Sequence, residues 1–418
     1  MIMEGTAITA VSDVRTTRLV GMYDMVLMSA VLALVGIGLL LVFSTTISPG
    51  IDMTDERRIA PFLHQAAAVG IGLLVMVAAR MLAPEVFGKA AGPALILSFG
   101  LIMAMKLVPG FATTINGSPR WLTIFGVSIQ PTEFIKVIWA VYAARFVARH
   151  ESDINKWFWI LITGLAFCLL VAGPIALLPD VGSALIIALT LGMMLVAGGL
   201  NWKNIGILTL PLLVALGVIL KIDPVKFNRF QAHAFLDVTR EGVGYQLYQA
   251  VLSIGSGGLI GSGLGHGTFH IMRHLPESES DFIMAVAAEE LGFFGLVFIV
   301  LLYAIIAVRG FMIARKCQDG FRRNLAFVIT ALISLSAVIH LCVNVALIPA
   351  KGLVCPFMSY GGTAMVVALG CVGILQRLHI DSTARKVVAE EFLKSYEPDA
   401  DDELDADAGT HASGGREE

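Results

Sequence analysis

Five carboxylates crowd the seventeen residues HLPESESDFIMAVAAEE (274–290): Glu277, Glu279, Asp281, Glu289 and Glu290. The stretch runs straight into LGFFGLVFIVLLYAIIAV, eighteen residues without a charge. Ionisable groups inside a membrane span are costly and usually functional, so acids at and beyond the edge of an apolar helix need a reason. A carboxylate in a first helical turn is stabilised as the anion by the helix dipole, and this plain capping role suits Glu279. Ser280 is placed to cap a helix beginning near Asp281. Apolar residues follow Asp281 at once, so it should face inward at the rim of a cavity, where a carboxylate can serve as a base. Glu289 comes about 12 Å further along at 1.5 Å per residue. It and Glu290 fall inside the span, where one of them should meet a cation or a helix terminus.

Basic groups that could answer these acids lie in two other stretches. In INGSPRWLTIFGVSIQPTEFIKV (115–137), Arg120 and Trp121 open a short amphipathic piece, and Trp121 is of the type that anchors at a membrane interface. Pro131 then stands at a favoured helix start. Glu133 and Lys136 share one helix face three residues apart. They form either a self-neutralising pair within the bundle or a basic group held for an anionic ligand. In IPAKGLVCPFMSYGGTA (348–364), Lys351 could face a phosphate. There Ser359, Gly361, Gly362 and Thr363 are small or hydroxylated, as close helix contacts require. Asp180 in LPDVGSA reads as a helix cap. Arg120, Lys136, Lys351 and Asp281 fall near one level of the same face, a set that suits an anionic lipid headgroup plus one base.

The elements that must position these residues are membrane helices. The 418 residues are 57% hydrophobic and 15% charged, with a mean hydropathy of +0.81, whereas soluble domains carry about 25% charged residues. Ten stretches approach the roughly 20 apolar residues a spanning helix needs: 25–47, 61–79, 90–108, 131–149, 157–178, 181–200, 204–221, 282–308, 324–347 and 357–377. Pro211 should kink the seventh. The fold expected is therefore an all-α polytopic membrane protein with ten transmembrane helices, spanning residues 21–380 between an N-terminal tail (1–20) and a C-terminal tail (381–418). From Glu397 onward nine acids accompany one Arg, a composition that cannot bury a core. Basic residues of the short loops gather on one side, among them Arg80, Lys89, Arg145, Arg149, Arg315, Lys316, Arg322 and Arg323. The other side has Arg57, Arg58, Lys106, Arg120 and Lys351. The bias places both termini in the cytoplasm and residues 222–280, between the seventh and eighth spans, outside. That loop is large and should be structured: GVGYQLYQAVLSIGSGGLIGSGLGHG is Gly-rich and moderately apolar, which suits a re-entrant or surface-lying element packed on protein. Its glycines read either as close packing or as a phosphate cradle. The five cysteines show no paired spacing, hence no disulfide framework and no thiolate metal site. Residues 1–20 do not have the pattern of a cleaved signal peptide.

Four stretches in order resemble the SEDS family, also known as the FtsW/RodA family: NGSPRW…IQPTEFIK, GYQLYQAVLSIGSGGLIGSGLG, LPESESDFIMAVAAEELGFFG and PAKGLVCPFMSYGG. The resemblance runs from about residue 20 to 380. GYQ after EGVG and PAKG before the last helix look like the cell-division branch, since the elongation branch usually differs at both. The resemblance implies ten membrane helices and a peptidoglycan glycosyltransferase of the bacterial inner membrane, at the division septum. Its substrate would be lipid II, and its partners a class B penicillin-binding protein transpeptidase and other divisome proteins; no nucleic-acid partner is expected. It implies that Asp281 is the essential acid, since SDFIM matches the usual TDFIF. It also places Arg120, Trp121, Glu133, Lys136, Glu277, Lys351 and Ser359 on motif positions in or near a substrate cavity. The chain departs from the usual pattern at Glu279-Ser280 (usually His-Thr), Met284 (Phe), Ser262 (often Lys) and Ala250 (Ser). These changes alter the rim around the acid and leave Asp281 in place.

On that resemblance Asp281 would act as general base on the acceptor sugar, with undecaprenyl diphosphate as leaving group. Arg120, Lys136 and Lys351 would stabilise the leaving charge. A divalent cation, magnesium or manganese, could assist, although no ligand cluster dedicated to one is visible; no organic cofactor is expected. Three rival readings use the same residues: a lipid II flippase, an elongation-type polymerase, and a scaffold that docks division partners without chemistry.

Overall fold

A computed structural model of the chain describes residues 23–46, 56–115, 118–124, 127–151, 180–201, 244–271, 275–349 and 352–396, with a scatter of positions between 166 and 242. The chain divides into two units. One is Asp24–Leu378, which holds every site discussed below. The other comprises Met1–Tyr23 and His379–Glu418, of which Tyr23 and residues 379–396 are described. Within that second unit Ser382 Oγ and Thr383 Oγ1 both donate to the His379 carbonyl, at 2.9 Å.

Among the described residues are ten helices: α1 (Met25–Thr46), α2 (Glu56–Met81), α3 (Pro84–Leu107), α4 (Pro131–His150), α5 (Val181–Ala197), α6 (Tyr245–Ser256), α7 (Thr268–Ile271), α8 (Ile283–Lys316), α9 (Gly320–Asn344) and α10 (Gly362–Tyr396). Six of them, α1, α2, α3, α8, α9 and α10, contain runs long and apolar enough to cross a membrane. The stop and start signals are local. Pro84 and Pro131 occupy the first turns of α3 and α4, where a missing N–H costs nothing. Asp180 caps α5 by accepting from Ser183 N at 3.0 Å, and Asp319 caps α9 by accepting from Arg322 N at 2.9 Å. The expectation for Asp180 is met. The expected spans at 157–178 and 204–221 lie largely outside the described residues, as do residues 222–241 of the expected large loop.

The helices pack where small residues allow backbones to approach. α8 lies against α9, α1 and α6, and α9 also against α4 and α5. A Cβ at Gly373 of α10 would fall 3.0 Å from Met76 Cα of α2, and one at Gly38 of α1 would fall 2.6 Å from Met358 Cα. Without a hydrophobic driving force between helices in lipid, such close packing is the main source of association.

Two sequence expectations give way here. The fold is helical but not all-α: residues 113–129 form a three-stranded antiparallel sheet, β1 (Thr113–Ile115), β2 (Ser118–Ile124) and β3 (Val127–Ile129), with Trp121 opposite Thr113 and Leu122 opposite Ile129. Thr123, Ile124, Val127 and Ile129 are β-branched and suit a pleated surface, so the piece carrying Arg120 and Trp121 is a strand. The second change concerns Ser280. α8 starts at Ile283, its N-cap is Phe282 without a side-chain cap, and the Ser280 hydroxyl turns back to Glu277 Oε2 at 3.1 Å.

The Gly-rich stretch proves to be packing. α8 breaks at Gly292 (φ 71°, ψ −171°), and the broken helix exposes carbonyls and N–H groups that must find partners. The turn after α6 supplies them. Ser262 N and Gly263 N donate to the Glu289 and Glu290 carbonyls at 2.9 and 3.0 Å; Phe293 N and Phe294 N donate to the Gly258 and Leu259 carbonyls at 2.9 and 3.2 Å. Irregular backbone inside a membrane protein survives only when satisfied in this way.

Candidate functional site

Asp281 sits in the last turn before α8. The turn is built on one carbonyl: Ser280 N, Asp281 N and Phe282 N all point to Glu277 O, at 3.2, 3.0 and 3.3 Å. Glu277 adopts φ +55° to make this possible. Two other non-glycine residues share the left-handed region, Ala346 (φ 56°) and Phe357 (φ 68°). The three lie in the segments that converge here: the 277–282 turn, the end of α9, and the lead-in to α10. Left-handed backbone at such residues costs about 1–3 kcal/mol each and concentrates at functional sites.

Opposite Asp281 lies Arg120 of β2. A methyl group at Gly352 would be 3.4 Å from Arg120 Nη2 and 3.5 Å from Asp281 Oδ2. Both charged groups therefore reach toward the same point, and only a residue without a side chain leaves that point open. Arg120 Nε is buried without a hydrogen-bond partner among the described residues. Trp121, beside it, is half-buried. Lys351 lies outside the described residues.

Glu133 and Lys136 form an ion pair of 2.8 Å, each side chain 10% exposed. Gln130 N, at the head of α4, donates to Thr363 Oγ1 at the head of α10 at 3.2 Å, whereas the ion pair faces Cys371 further along α10. Lys136 thus stands about 9 Å below that junction at 1.5 Å per residue. Its charge is met by Glu133, as the pairing alternative anticipates.

Ser359 is 1% exposed and fully employed. Its Oγ donates to Ser280 O at 2.6 Å and accepts from Cys355 N at 3.0 Å. Tyr360 N donates to Glu279 O at 2.8 Å. Gln65 of α2 secures this lead-in, donating to Ser359 O at 3.0 Å and accepting from Gly361 N at 3.1 Å. Burial, then the Glu279 carboxylate, holds the Tyr360 phenol above its ordinary value near 10. Burial pushes the Cys355 thiol up to about 12, while its hydrogen bond with Tyr303 Oη, 3.1 Å away, pulls the other way.

The two deeper acids are structural. Glu289 Oε1 accepts from Thr268 N and from Phe269 N (3.1 Å) at the start of α7, and Oε2 from Ser253 Oγ at 2.9 Å. Glu290 Oε1 accepts from Ser44 Oγ of α1 and from Gly265 N at 3.2 Å. One of them meets a helix terminus, as the sequence suggests.

Sequence reasoning missed Gln65, Asn344, His340 and Gly352. The first three are polar residues within or ending apolar runs, and that mismatch is itself a signal. Gly352 leaves none, because its value is an absent side chain at a place only the fold defines.

The chain is similar to known proteins along almost all of its length. Residues 25–384 match the family model described as cell cycle protein, FtsW/RodA/SpoVE. The "Probable peptidoglycan glycosyltransferase FtsW" of Methylomonas methanica is 32% identical over 366 residues, 86% of this chain and 93% of that one. Proteins of the same description from Thioalkalivibrio sulfidiphilus and Bacillus subtilis are 35% and 33% identical, covering 87% and 85% of this chain and 90% of each relative. Among solved structures, a chain from a peptidoglycan synthase complex, studied for structural coordination of polymerization and crosslinking, superposes with TM-score 0.70 at 25% identity, covering 86% of this chain and 98% of that one. The rod shape determining protein RodA of Thermus thermophilus superposes with TM-score 0.62 at 25% identity, covering 86% and 97%. With a match that runs from residue 25 to residue 384, the chain belongs to the FtsW/RodA/SpoVE family of cell cycle proteins.

Proposed function

We infer that this protein is a peptidoglycan glycosyltransferase that polymerises lipid II into glycan strands for septal wall synthesis. The carrying observation is Asp281 facing Arg120 across the bare backbone of Gly352. That arrangement offers a base and an anion-binding cation at one rim. Asp281 takes the proton of the acceptor sugar's 4-hydroxyl. The freed oxygen attacks the anomeric carbon of the donor chain, the bond from that carbon to the diphosphate oxygen breaks, and undecaprenyl diphosphate leaves with the electron pair. General base catalysis contributes typically about 10²–10⁴-fold. Arg120 and Lys351 stabilise the leaving diphosphate. Trp121 and Glu277 border the entry, and the neutralised Glu133–Lys136 pair forms a polar wall deeper in the bundle.

A divalent cation, magnesium or manganese, belongs to this reading as an adjunct of the diphosphate. Among the described residues no three of His, Cys, Asp and Glu stand together as ligands. Among the described residues the donor set does not form a resident-ion site.

The proposal includes ten spans, the large extracytoplasmic loop between the seventh and eighth, cytoplasmic termini, and residence at the septum with other divisome proteins. The class B transpeptidase partner is supported by the similarity to a chain of a peptidoglycan synthase complex.

The test uses the purified protein, its cognate transpeptidase, lipid II and a divalent cation, comparing wild type with Asp281→Asn for glycan strands on a gel. Strands from wild type alone are expected. Equal strands from both would move the chemistry to another residue. Strands from neither, with lipid II crossing the bilayer, would favour transport.

A further inference from the structure

Three consecutive carbonyls lead into α8, and each accepts a hydrogen bond from a separate group. Glu279 O takes Tyr360 N at 2.8 Å, Ser280 O takes Ser359 Oγ at 2.6 Å, and Asp281 O takes Asn344 Nδ2 at 3.1 Å. The first two donors come from the lead-in to α10. The third, from the end of α9, goes to the carbonyl of Asp281 itself.

Asn344 is completely buried and all of its polar capacity is engaged. Its second N–H goes to His340 O at 2.9 Å, and Oδ1 accepts from Ala285 N at 3.0 Å. Ala285 N belongs to the first turn of α8, where Phe282 provides no side-chain cap, and it is shared between the Phe282 carbonyl at 2.9 Å and Asn344 Oδ1. A single amide from α9 therefore both caps α8 and fixes the carbonyl of the residue before it. These two bonds set the angle between the Asp281 turn and its helix.

We propose that Asn344 is a positioning residue for glycan polymerisation, holding Asp281 at its working distance from the acceptor hydroxyl. The assignment rests on Asp281 being the base. A base must lie within about 2.6–3.2 Å of the proton it removes, and a misplacement of about 1 Å can cost about 10²-fold. Asn344 touches no reacting atom, so its loss should act on turnover and leave lipid II binding intact.

The experiment compares wild type, Asn344→Ala, Asn344→Asp and Asp281→Asn, each with the partner transpeptidase, for kcat and KM on lipid II per folded molecule. Asn344→Ala is expected to lower kcat by about 10–10²-fold while KM stays within about twofold. Asn344→Asp keeps an acceptor for Ala285 N, loses both donors when ionised, and regains one when protonated. Burial at this fully buried position raises a carboxyl's pKa by up to about 3–5 units, so its turnover relative to wild type should rise from about pH 8 to about pH 6, while the relative turnover of Asn344→Ala stays flat. Wild-type kcat in Asn344→Ala, a loss confined to KM, or an Asp variant without the pH response would each overturn the proposal. Should Asn344→Ala fail to fold, the pH ratio of the Asp variant decides alone. Asp281→Asn separates the two readings. Full activity there removes the base and this proposal with it, whereas an inactive Asp281→Asn beside a fully active Asn344→Ala removes only the positioning role.

Discussion

Three glycines in one turn allow the packing against the break in α8 to be taken apart. Gly258 has φ +54°, and a Cβ there would meet nothing within 4 Å. Gly258→Ala should cost only the left-handed backbone, about 1–2 kcal/mol. Gly257 has ordinary helical angles (φ −69°), but its Cβ would lie against the Ala288 carbonyl and 2.9 Å from Glu289 Cα. Gly257→Ala should cost about 1–3 kcal/mol from overpacking against backbone that cannot yield. Gly261 combines both problems: φ is +88°, and a Cβ would sit 2.5 Å from Glu290 C and 2.6 Å from Gly292 N. It would also push apart the four backbone hydrogen bonds between this turn and α8, each worth about 0.5–1.5 kcal/mol net. Gly261→Ala should therefore lose about 4 kcal/mol or more, in the range reserved for severe lesions. Thermal unfolding in detergent, followed by loss of the monodisperse species, should rank the variants Gly258→Ala mildest, Gly257→Ala next and Gly261→Ala worst. The reasoning is refuted if Gly258→Ala is as damaging as Gly261→Ala, or if Gly257→Ala is as mild as Gly258→Ala.

Two further outcomes follow from the ion pair and the buried thiol. Glu133→Gln strands Lys136 without its counter-charge and should cost about 3–5 kcal/mol; Glu133→Gln combined with Lys136→Met should recover much of that loss in the same unfolding assay. Cys355, with its thiol raised to about 12 by burial, should resist maleimide at about pH 8 in the folded protein and react only after denaturation. Because an unfolded thiol ionises near its ordinary value of 9 and the folded one does not, this group's contribution is present below pH 9 and is lost as pH rises toward 12.

Much was legible in the sequence, for a physical reason in each case. Apolar runs announce membrane helices because lipid leaves backbone polar groups no partner outside the helix. Pro131 and Asp180 announce helix starts through local geometry that needs no tertiary partner. The spacing of Glu133 and Lys136 places them on one helix face, which made their pairing one of two readings, because a helix brings i and i+3 together. Asp281 and the motif order around it sufficed to identify the family.

Tertiary structure decided what spacing along the chain cannot encode. Residues 113–115, 118–124 and 127–129 are a sheet because three short strands find one another, and Arg120 of that sheet and Asp281 approach one point beside Gly352. Ser280 looked like a cap, but its carbonyl is held by Ser359 and its hydroxyl by Glu277. Asn344 and Gln65 acquired their roles only when α9 and α2 came beside turns more than fifty residues away in sequence. Local rules choose the elements; which amide meets which carbonyl depends on how those elements pack.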